Sequence, residues 1–377
     1  MRKRELLHGY TTGACAAAAA KGAALLLRDQ QAVEEVELIL PRGEAACFLL
    51  HGQKFDKESA SCFVIKDAGS DPDVTHGAQI HAAVSLLVSD AKGVIIEGGT
   101  GIGRVTKPGL AVPVGQWAIN PVPRRMIEEA LSEVFPDPRS PFTVHCLITI
   151  PNGEELARKT LNARLGILGG LSILGTTGVV TPISAKAWTD TIDSAIDVAL
   201  ACGSTTVVCS TGRTSELVAQ KNLGTGDRGS GIGGKPQFLV PGPWSLIPEE
   251  AFVMMGDYVA HALETAKRKG VERVILAGQF AKLLKIACGH RQTHVSSSEL
   301  DLKQLEQWLV LAGCRSLIPG PWSRFNTARQ VLEESGSDPV LVELVCSRAQ
   351  GFASSLASGV EVKVLLAGYG GEVVYFG

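Results

Sequence analysis

The feature that most constrains this chain is a change of rhythm near its middle. Up to about residue 150, short apolar runs succeed one another with two helical stretches among them. Beyond that point, strand-like and helical runs alternate. A helix over 184–201 is followed by a strand at 205–209, a long helix over 249–268, a strand at 272–277 and a helix over 280–287. Helices near 301–312, 326–334 and 340–356 and strands at 361–366 and 372–376 complete the pattern. Strands that alternate with helices need crossover connections, and these build a mostly parallel sheet. The expected fold class is α/β in two domains. A mixed α+β domain spans 1–150, and a mostly parallel, Rossmann-like α/β domain spans 151–377. The division falls at the turn-forming Pro151-Asn152-Gly153. With 377 residues the chain is also too long for one ordinary core.

In the first domain, Thr11 and Thr12 are placed to cap a helix that starts near Gly13 and runs through Ala16–Ala20 to Leu27. Strands are expected at Val36–Leu40, Ala46–Leu50 and Cys62–Ile65. Alternation over Ile80–Val88 marks a half-buried strand, with Gly93–Glu97 as its partner. Pro123 opens a helix that reaches Val134, and Phe142–Ile150 closes the domain as a strand.

Composition narrows the function classes. A net charge of -2 gives no pull toward nucleic acid or anionic membrane. No run of 18 uninterrupted apolar residues suggests a membrane span. Lys21 and Arg28 interrupt the Ala-rich N-terminal stretch, which argues against a signal peptide. The 9 cysteines are odd in number and no pair has CxxC spacing, which favours reduced thiols in a cytoplasmic protein. Aromatics are 5% while glycines number 42, so backbone and small side chains must line any pocket.

Four glycine-rich segments stand out. Gly9-Tyr10-Thr11-Thr12-Gly13 lies at a helix start, where free N–H groups suit a carboxylate or phosphate; a capped helix that binds nothing has the same pattern. Lys66-Asp67-Ala68-Gly69-Ser70-Asp71-Pro72-Asp73-Val74-Thr75-His76-Gly77 follows a strand. Its order does not match the EF-hand loop, so it reads as a polar loop offering a base or hydrogen bonds to a ligand, or as an Asx-rich turn. In Gly98–Gly109, Gly-x-Gly-x-Gly precedes Arg104 and Lys107, which suits a polyanion or a plain glycine-rich hairpin. Gly166–Gly178 places glycines among apolar residues just before a helix and suits a flat or extended cofactor. Ser210-Thr211-Gly212-Arg213-Thr214 follows a short strand, at the edge where open α/β sheets hold their ligands. His290 and His294 have i, i+4 spacing, which on a helix would give them one face, either as ligand contacts or merely exposed. Two near-copies, Leu239–Ser245 and Leu317–Ser323, read as loops that pair across an oligomer interface or as local turns.

GYTTGACAAAAAKGA, KDAGSDPDVTHG, GGTGIGRVTKPGL, AINPVPRRMI, RLGILGGLSILGTTGVV, GRTSE, MMGDYV and GHRQTH stand in this order over nearly the whole chain. Together they resemble the cobalt-precorrin-5B C-1 methyltransferase family (CbiD) of anaerobic cobalamin biosynthesis. The family pattern has proline where Ala163 stands. The resemblance implies methylation at C-1 of cobalt-precorrin-5B to give cobalt-precorrin-6A. It implies S-adenosylmethionine as co-substrate and a tetrapyrrole acceptor that carries its own cobalt, so no protein metal site is expected. On this footing the donor is expected on Gly169, Gly170, Gly175, Thr176, Thr177, Gly178, Ser210, Gly212 and Arg213, with Asp257 on the ribose. The acceptor is expected to meet Thr11, Thr12, Arg104, Lys107, His290 and His294. Lys66, Arg124, Arg125 and Arg291 are further partners for its carboxylates. Asp67, Asp73 and His76 are candidates to remove or relay a proton. The partners expected are the small tetrapyrrole and possible further copies of the chain, with no nucleic acid or membrane. Two other functions fit the glycine segments: a Mg-ATP-dependent phosphotransferase working through Gly98–Gly109, and a tetrapyrrole carrier without catalysis.

Overall fold

The computed structural model describes residues 7–88, 93–136, 142–182, 184–225, 244, 246–298, 300–314, 317–318 and 321–377. It is a mixed α/β structure of two compact units, residues 1–184 and 185–377.

In the first unit, β1 (Gly9–Tyr10) leads into α1 (Thr12–Asp29). There follow β2 (Glu35–Ile39), β3 (Ala45–Leu49), β4 (His51–Phe55), β5 (Ser59–Ile65), β6 (Gln79–Val88), β7 (Gly93–Gly98), β8 (Gly101–Ile102) and β9 (Arg104–Val105). Then come α2 (Pro121–Val134), β10 (Phe142–Thr149), α3 (Gly153–Ala157), β11 (Ile167–Leu168), β12 (Gly170–Leu171) and β13 (Val179–Val180). The main sheet has the order β4-β5-β6-β10-β7. All its neighbours are antiparallel except β10 and β7. Gly93–Glu97 is therefore not the partner of Ile80–Val88. The strongly apolar β10, whose Cys146 and Ile148 are fully buried, takes the place between them. The edge strand β4 carries His51, Gln53 and Lys54 and shows little apolar alternation, so no strand was expected there.

Helix α1 is the centre of this core. Ala14 and Ala16–Ala20 are fully buried, and the helix packs on α2, β5 and β6. A wall of methyl groups lets backbones come close, and a Cβ added at Gly22 would lie 2.5 Å from Leu50 Cδ1. Dispersion over such a dense contact stands in for larger apolar side chains along the alanine stretch, and Leu26 and Leu27 bury conventional apolar bulk at the helix's end.

The expected break at 150 falls inside this unit. Residues 151–182 stay with it because they pair with its glycine-rich strands. Ile167 and Leu168 run antiparallel to Val105 and Arg104, Gly170 and Leu171 run parallel to Gly101 and Ile102, and Val179–Val180 pair with Tyr10 and Gly9.

The second unit comprises α4 (Ala185–Ala201), β14 (Thr206–Ser210), α5 (Arg213–Leu223), β15 (Phe252–Met254), α6 (Val259–Arg268), β16 (Arg273–Gly278) and α7 (Phe280–Ala287). It ends with α8 (Leu302–Leu311), α9 (Ala328–Glu334), α10 (Pro339–Leu356), β17 (Glu361–Ala367) and β18 (Val373–Phe376). Its sheet has the order β15-β14-β16-β17-β18, parallel but for β18. The long helix expected over 249–268 is divided. Phe252–Met254 is apolar enough to pair with β14, and the chain then turns at Gly256, whose φ of +57° stops a helix from running through. Trp244 and Trp322 are buried in this unit's core rather than displayed at loop tips. Most of the Gly/Pro-rich stretch 224–247, and parts of both tryptophan-bearing near-copies, lie outside the described residues.

Candidate functional site

In the first unit, three of the glycine-rich segments meet at the start of α1. Thr11 Oγ1 accepts the N–H of Ala14 at 3.2 Å, as the N-cap pattern requires. The Thr11 N–H donates to Gly178 O at 3.0 Å, and the Gly13 N–H donates to Leu174 O at 3.0 Å. Thr12 Oγ1 donates to Leu174 O and accepts its N–H at 3.0 Å. Thr11 and Thr12 are buried. The helix start expected to hold an anion instead holds the Leu174–Gly178 segment, which takes the Gly13 N–H and the Thr12 hydroxyl while Thr11 Oγ1 takes the Ala14 N–H. Gly175 lies against Thr11, Thr176 is exposed, and Thr177 Oγ1 bonds the backbone of Val179.

The Asp67–His76 loop is joined to the same place, with the Tyr10 N–H donating to Asp67 O at 2.7 Å. Its floor is Lys66, 1% exposed, whose Nζ donates to Asp73 Oδ2 at 2.7 Å. Asp73 Oδ1 accepts both the N–H and the hydroxyl of Thr75. Burial pushes the Asp73 carboxyl up, but the bonds from Lys66 and Thr75 and the lysine charge outweigh it, leaving the group below the usual carboxylate range. Asp67 and His76 face solvent at 70% and 57% exposure, with His76 Nδ1 3.6 Å from Asp67 Oδ1. His76 Nδ1 also accepts the Ala68 N–H at 3.1 Å. Of the three proton-transfer candidates, Asp67 and His76 form an accessible pair, while Asp73 holds the loop to a buried ammonium.

The Gly98–Gly109 segment is a paired structure. Gly101, at φ +76°, abuts the carbonyl of Ile150, and Gly170 abuts the backbone of Gly101, so neither position has room for a Cβ. This close approach is chain against chain. Gly170, expected to admit a cofactor, admits a neighbouring strand, and Asn162 Nδ2 donates to Gly170 O beside it. Gly169, at φ +83°, stands in open space. Arg104 stacks 4.0 Å above the Trp117 ring and donates to Gly115 O at 2.8 Å. The stem of Lys107 packs on Gly166.

The second unit brings Ser210, Gly212, Arg213 and Asp257 to the carboxyl ends of its parallel strands. β14 is the first strand of the sheet in the chain, β15 lies on one side of it and β16 on the other. The connections therefore part at β14 and β16, and such a point leaves a crevice beyond the strand ends. Ser210 ends β14. Its carbonyl accepts the N–H groups of Met255 and Gly256, while its hydroxyl is fully buried and has no hydrogen-bond partner among the described residues. Gly212 precedes α5, and a Cβ there would meet nothing within 4 Å. Arg213, the first residue of α5, is exposed, with no bond to its guanidinium among the described residues. Asp257 follows β15. Its Oδ1 accepts from Lys282 and, at 2.5 Å, from Thr293 Oγ1, bonds that leave Oδ2 aside. Burial pushes the Asp257 carboxyl up, but Lys282 and Thr293 bring it below the usual range.

Lys282 and Thr293 escaped the sequence reading. The signal was Lys282 in the first turn of a helix directly after a strand, and Thr293 inside the GHRQTH segment. That segment lies beyond the end of α7, so His290 and His294 share no helix face; His294 is exposed and bonded to Ser296. Arg291 is paired with Glu264 at 2.5 Å. Of the residues expected to hold the donor, Gly169–Gly178 belong to the first unit and Ser210–Arg213 and Asp257 to the second.

The geometry defines an α/β protein of two units, each gathering polar and glycine-rich segments at element ends. A family model described as CbiD matches residues 1–182, nearly the whole first unit. The relatives match both units. A cobalt-precorrin-5B C(1)-methyltransferase of Geobacter metallireducens is 63% identical, with 100% of each chain covered. One of Geobacter sulfurreducens is 58% identical at the same coverage, and one of Geobacillus thermodenitrificans is 42% identical over 91% of this chain and 87% of its own. A crystal structure of cobalamin biosynthesis protein (cbiD) from Archaeoglobus fulgidus is 27% identical, with 82% of this chain and 85% of that chain covered and a TM-score of 0.38. The chain belongs to the CbiD family.

Proposed function

We propose that this chain transfers a methyl group from S-adenosylmethionine to C-1 of cobalt-precorrin-5B, giving cobalt-precorrin-6A in anaerobic cobalamin biosynthesis. The observation that carries the reading is end-to-end similarity at 63% identity to a relative named cobalt-precorrin-5B C(1)-methyltransferase. The acceptor brings its own cobalt. The cytoplasm is the compartment that suits the free thiols. No helix among the described residues is long and apolar enough to cross a membrane.

The donor belongs at the carboxyl edge of the second unit's sheet, which we read as Rossmann-like. The orphaned hydroxyl of Ser210 and the open space at Gly212 both fit a ligand there. Arg213 and the N-terminus of α5 suit the carboxylate of the methionyl portion. Asp257 follows the second strand in chain order and offers Oδ2 to a ribose hydroxyl. When bound, the donor supplies a methyl already activated on sulfonium. The protein's task is then orientation, worth about 7–11 kcal/mol in well-aligned systems.

The acceptor belongs to the first unit, beside the Asp67–His76 loop. His76 accepts a proton at Nε2 only when its own proton is on Nδ1. Asp67 Oδ1 favours that tautomer, while the Ala68 N–H opposes it. Asp73 anchors the loop through Lys66, and Thr11 and Thr12 hold the Leu174–Gly178 segment that flanks it.

The test is calorimetric titration of the whole protein with S-adenosylmethionine and with Mg-ATP, followed by turnover of cobalt-precorrin-5B. Saturable donor binding and a methylated product are expected. Binding of Mg-ATP alone would return the function to Gly98–Gly109. Tight tetrapyrrole binding without donor binding or turnover would make the protein a carrier.

A further inference from the structure

Of the five tryptophans, Trp244, Trp308 and Trp322 are buried, and Trp117 lies beneath the Arg104 guanidinium. Trp188, on the first turn of α4, is different. It is 46% exposed, yet it is held firmly. Its indole Nε1 donates to Met255 O at 3.1 Å. Its ring lies stacked with Tyr258, with centroids 6.5 Å apart and planes at 29°. A Cβ on Gly256 would come within 3.0 Å of Trp188 Cζ2, so the indole edge closes over the turn at that glycine.

The place of that turn gives the arrangement its meaning. Met255-Gly256-Asp257-Tyr258 leaves the carboxyl end of β15, and two of its N–H groups are bonded to Ser210 O at the end of β14. Trp188 therefore stands over the turn that leaves the same strand-end edge as Ser210, against Met255, Gly256 and Tyr258, the residues on either side of Asp257 in the chain. An indole whose single N–H is already bonded has only its π-surface left to offer. A large aromatic surface exposed to water is unfavourable, and one fixed in orientation loses little entropy when a flat partner covers it.

The geometry points to Trp188 as the stacking platform for a purine ring. This rests on the placement of the donor at the carboxyl edge of the second unit and adds the element that recognises its adenine. Asp257, which follows Gly256 in that turn, then meets the ribose, in the order in which base and sugar follow one another in an adenosyl group. The ring supplies a sequence-tolerant face, so discrimination between adenine and other purines must come from groups other than the indole.

The test uses the full chain with S-adenosylhomocysteine and with adenosine as probes, titrated by calorimetry against wild type, Trp188→Leu and Trp188→Phe. Leucine keeps the apolar cover over the Gly256 turn without a π-face, and phenylalanine keeps the π-face without the N–H. Trp188→Leu should bind both probes about ten- to hundredfold more weakly. Trp188→Phe should recover most of that loss, with both variants folded by circular dichroism. In the wild type, adenosine should quench a component of tryptophan fluorescence that is missing in Trp188→Phe. Equal affinities in wild type and Trp188→Leu overturn the platform. So does an equal loss in the leucine and phenylalanine variants. A Gly212→Val control separates the two levels. If it weakens S-adenosylhomocysteine while Trp188→Leu does not, the donor placement stands and the platform falls. If neither substitution changes binding, or wild type binds neither probe, the placement at this edge falls with it.

Discussion

Lys66 and Asp73 form an ion pair of 2.7 Å in which the lysine is 1% exposed and the aspartate 25%. The asymmetry decides what each substitution does. Asp73→Asn leaves an ammonium in the interior facing a neutral amide and should lower stability by roughly 3 kcal/mol. Lys66→Met leaves a carboxylate that water still reaches, and should cost less. Urea denaturation of the two variants checks the order; a larger loss in Lys66→Met would mean that the buried ammonium has another route to charge compensation.

The same pair sets a pH dependence. Asp73 is held below its unfolded value, about 3.9, so its stabilisation is complete above that pH and disappears as pH falls through the lowered native value. Urea midpoints measured from about pH 6 down to pH 2 should decline more steeply in wild type than in Asp73→Asn. Parallel curves would show that Asp73 does not contribute to the acid response.

Gly101→Ala should abolish soluble, folded protein, because the methyl meets the Ile150 carbonyl in a backbone conformation that L-residues avoid. Gly169→Ala has a similar φ but open surroundings and should cost about 1–2 kcal/mol. Thermal melting separates these outcomes. A folded Gly101→Ala would show that β8 and β12 can move apart.

Gly212→Val introduces no backbone strain, since the residue is extended at φ -177° with free space around its Cβ. Stability should stay within about 0.5 kcal/mol while affinity for S-adenosylhomocysteine falls at least about tenfold, roughly 1.4 kcal/mol. Arg213→Ala should weaken the same ligand with greater salt sensitivity in the wild type. Loss of folding in Gly212→Val would mean that the residue serves the chain rather than a ligand.

Much of the fold was legible where one pattern had one meaning. The alanine helix, its Thr11 cap, the period-2 run of β6 and the helix Phe280–Ala287 all stand where periodicity and capping put them. Legibility failed where a local pattern served two purposes. Phe252–Met254 carries apolar residues that suit a helix as well as a strand, and pairing with β14 settled the matter. Glycines at 101 and 170 look from the sequence like cradles for a ligand, because backbone close to a ligand and backbone close to backbone need the same residue. The boundary at Pro151 failed for the same reason. A turn is visible locally, but the partner strands Gly101–Val105 lie some fifty residues away. At the candidate sites, Asp67, His76, Ser210 and Asp257 were visible as polar residues beside strands. Lys282, Thr293 and Trp188 were not, since nothing in their own neighbourhood shows what the chain brings to them.

The pairing of Gly9–Tyr10 with Val179–Val180 has a consequence for how the protein is made. The start of α1 receives Leu174 and Gly178, residues synthesised after almost the entire first unit. At the usual pace of translation this leaves the alanine helix without its closing partner for roughly ten to thirty seconds. During that interval its methyl wall must be covered by the β5–β6 strands and α2, which emerge earlier. A chain cut short before residue 174 would therefore contain every strand of the main sheet, while its N-terminal latch stays open.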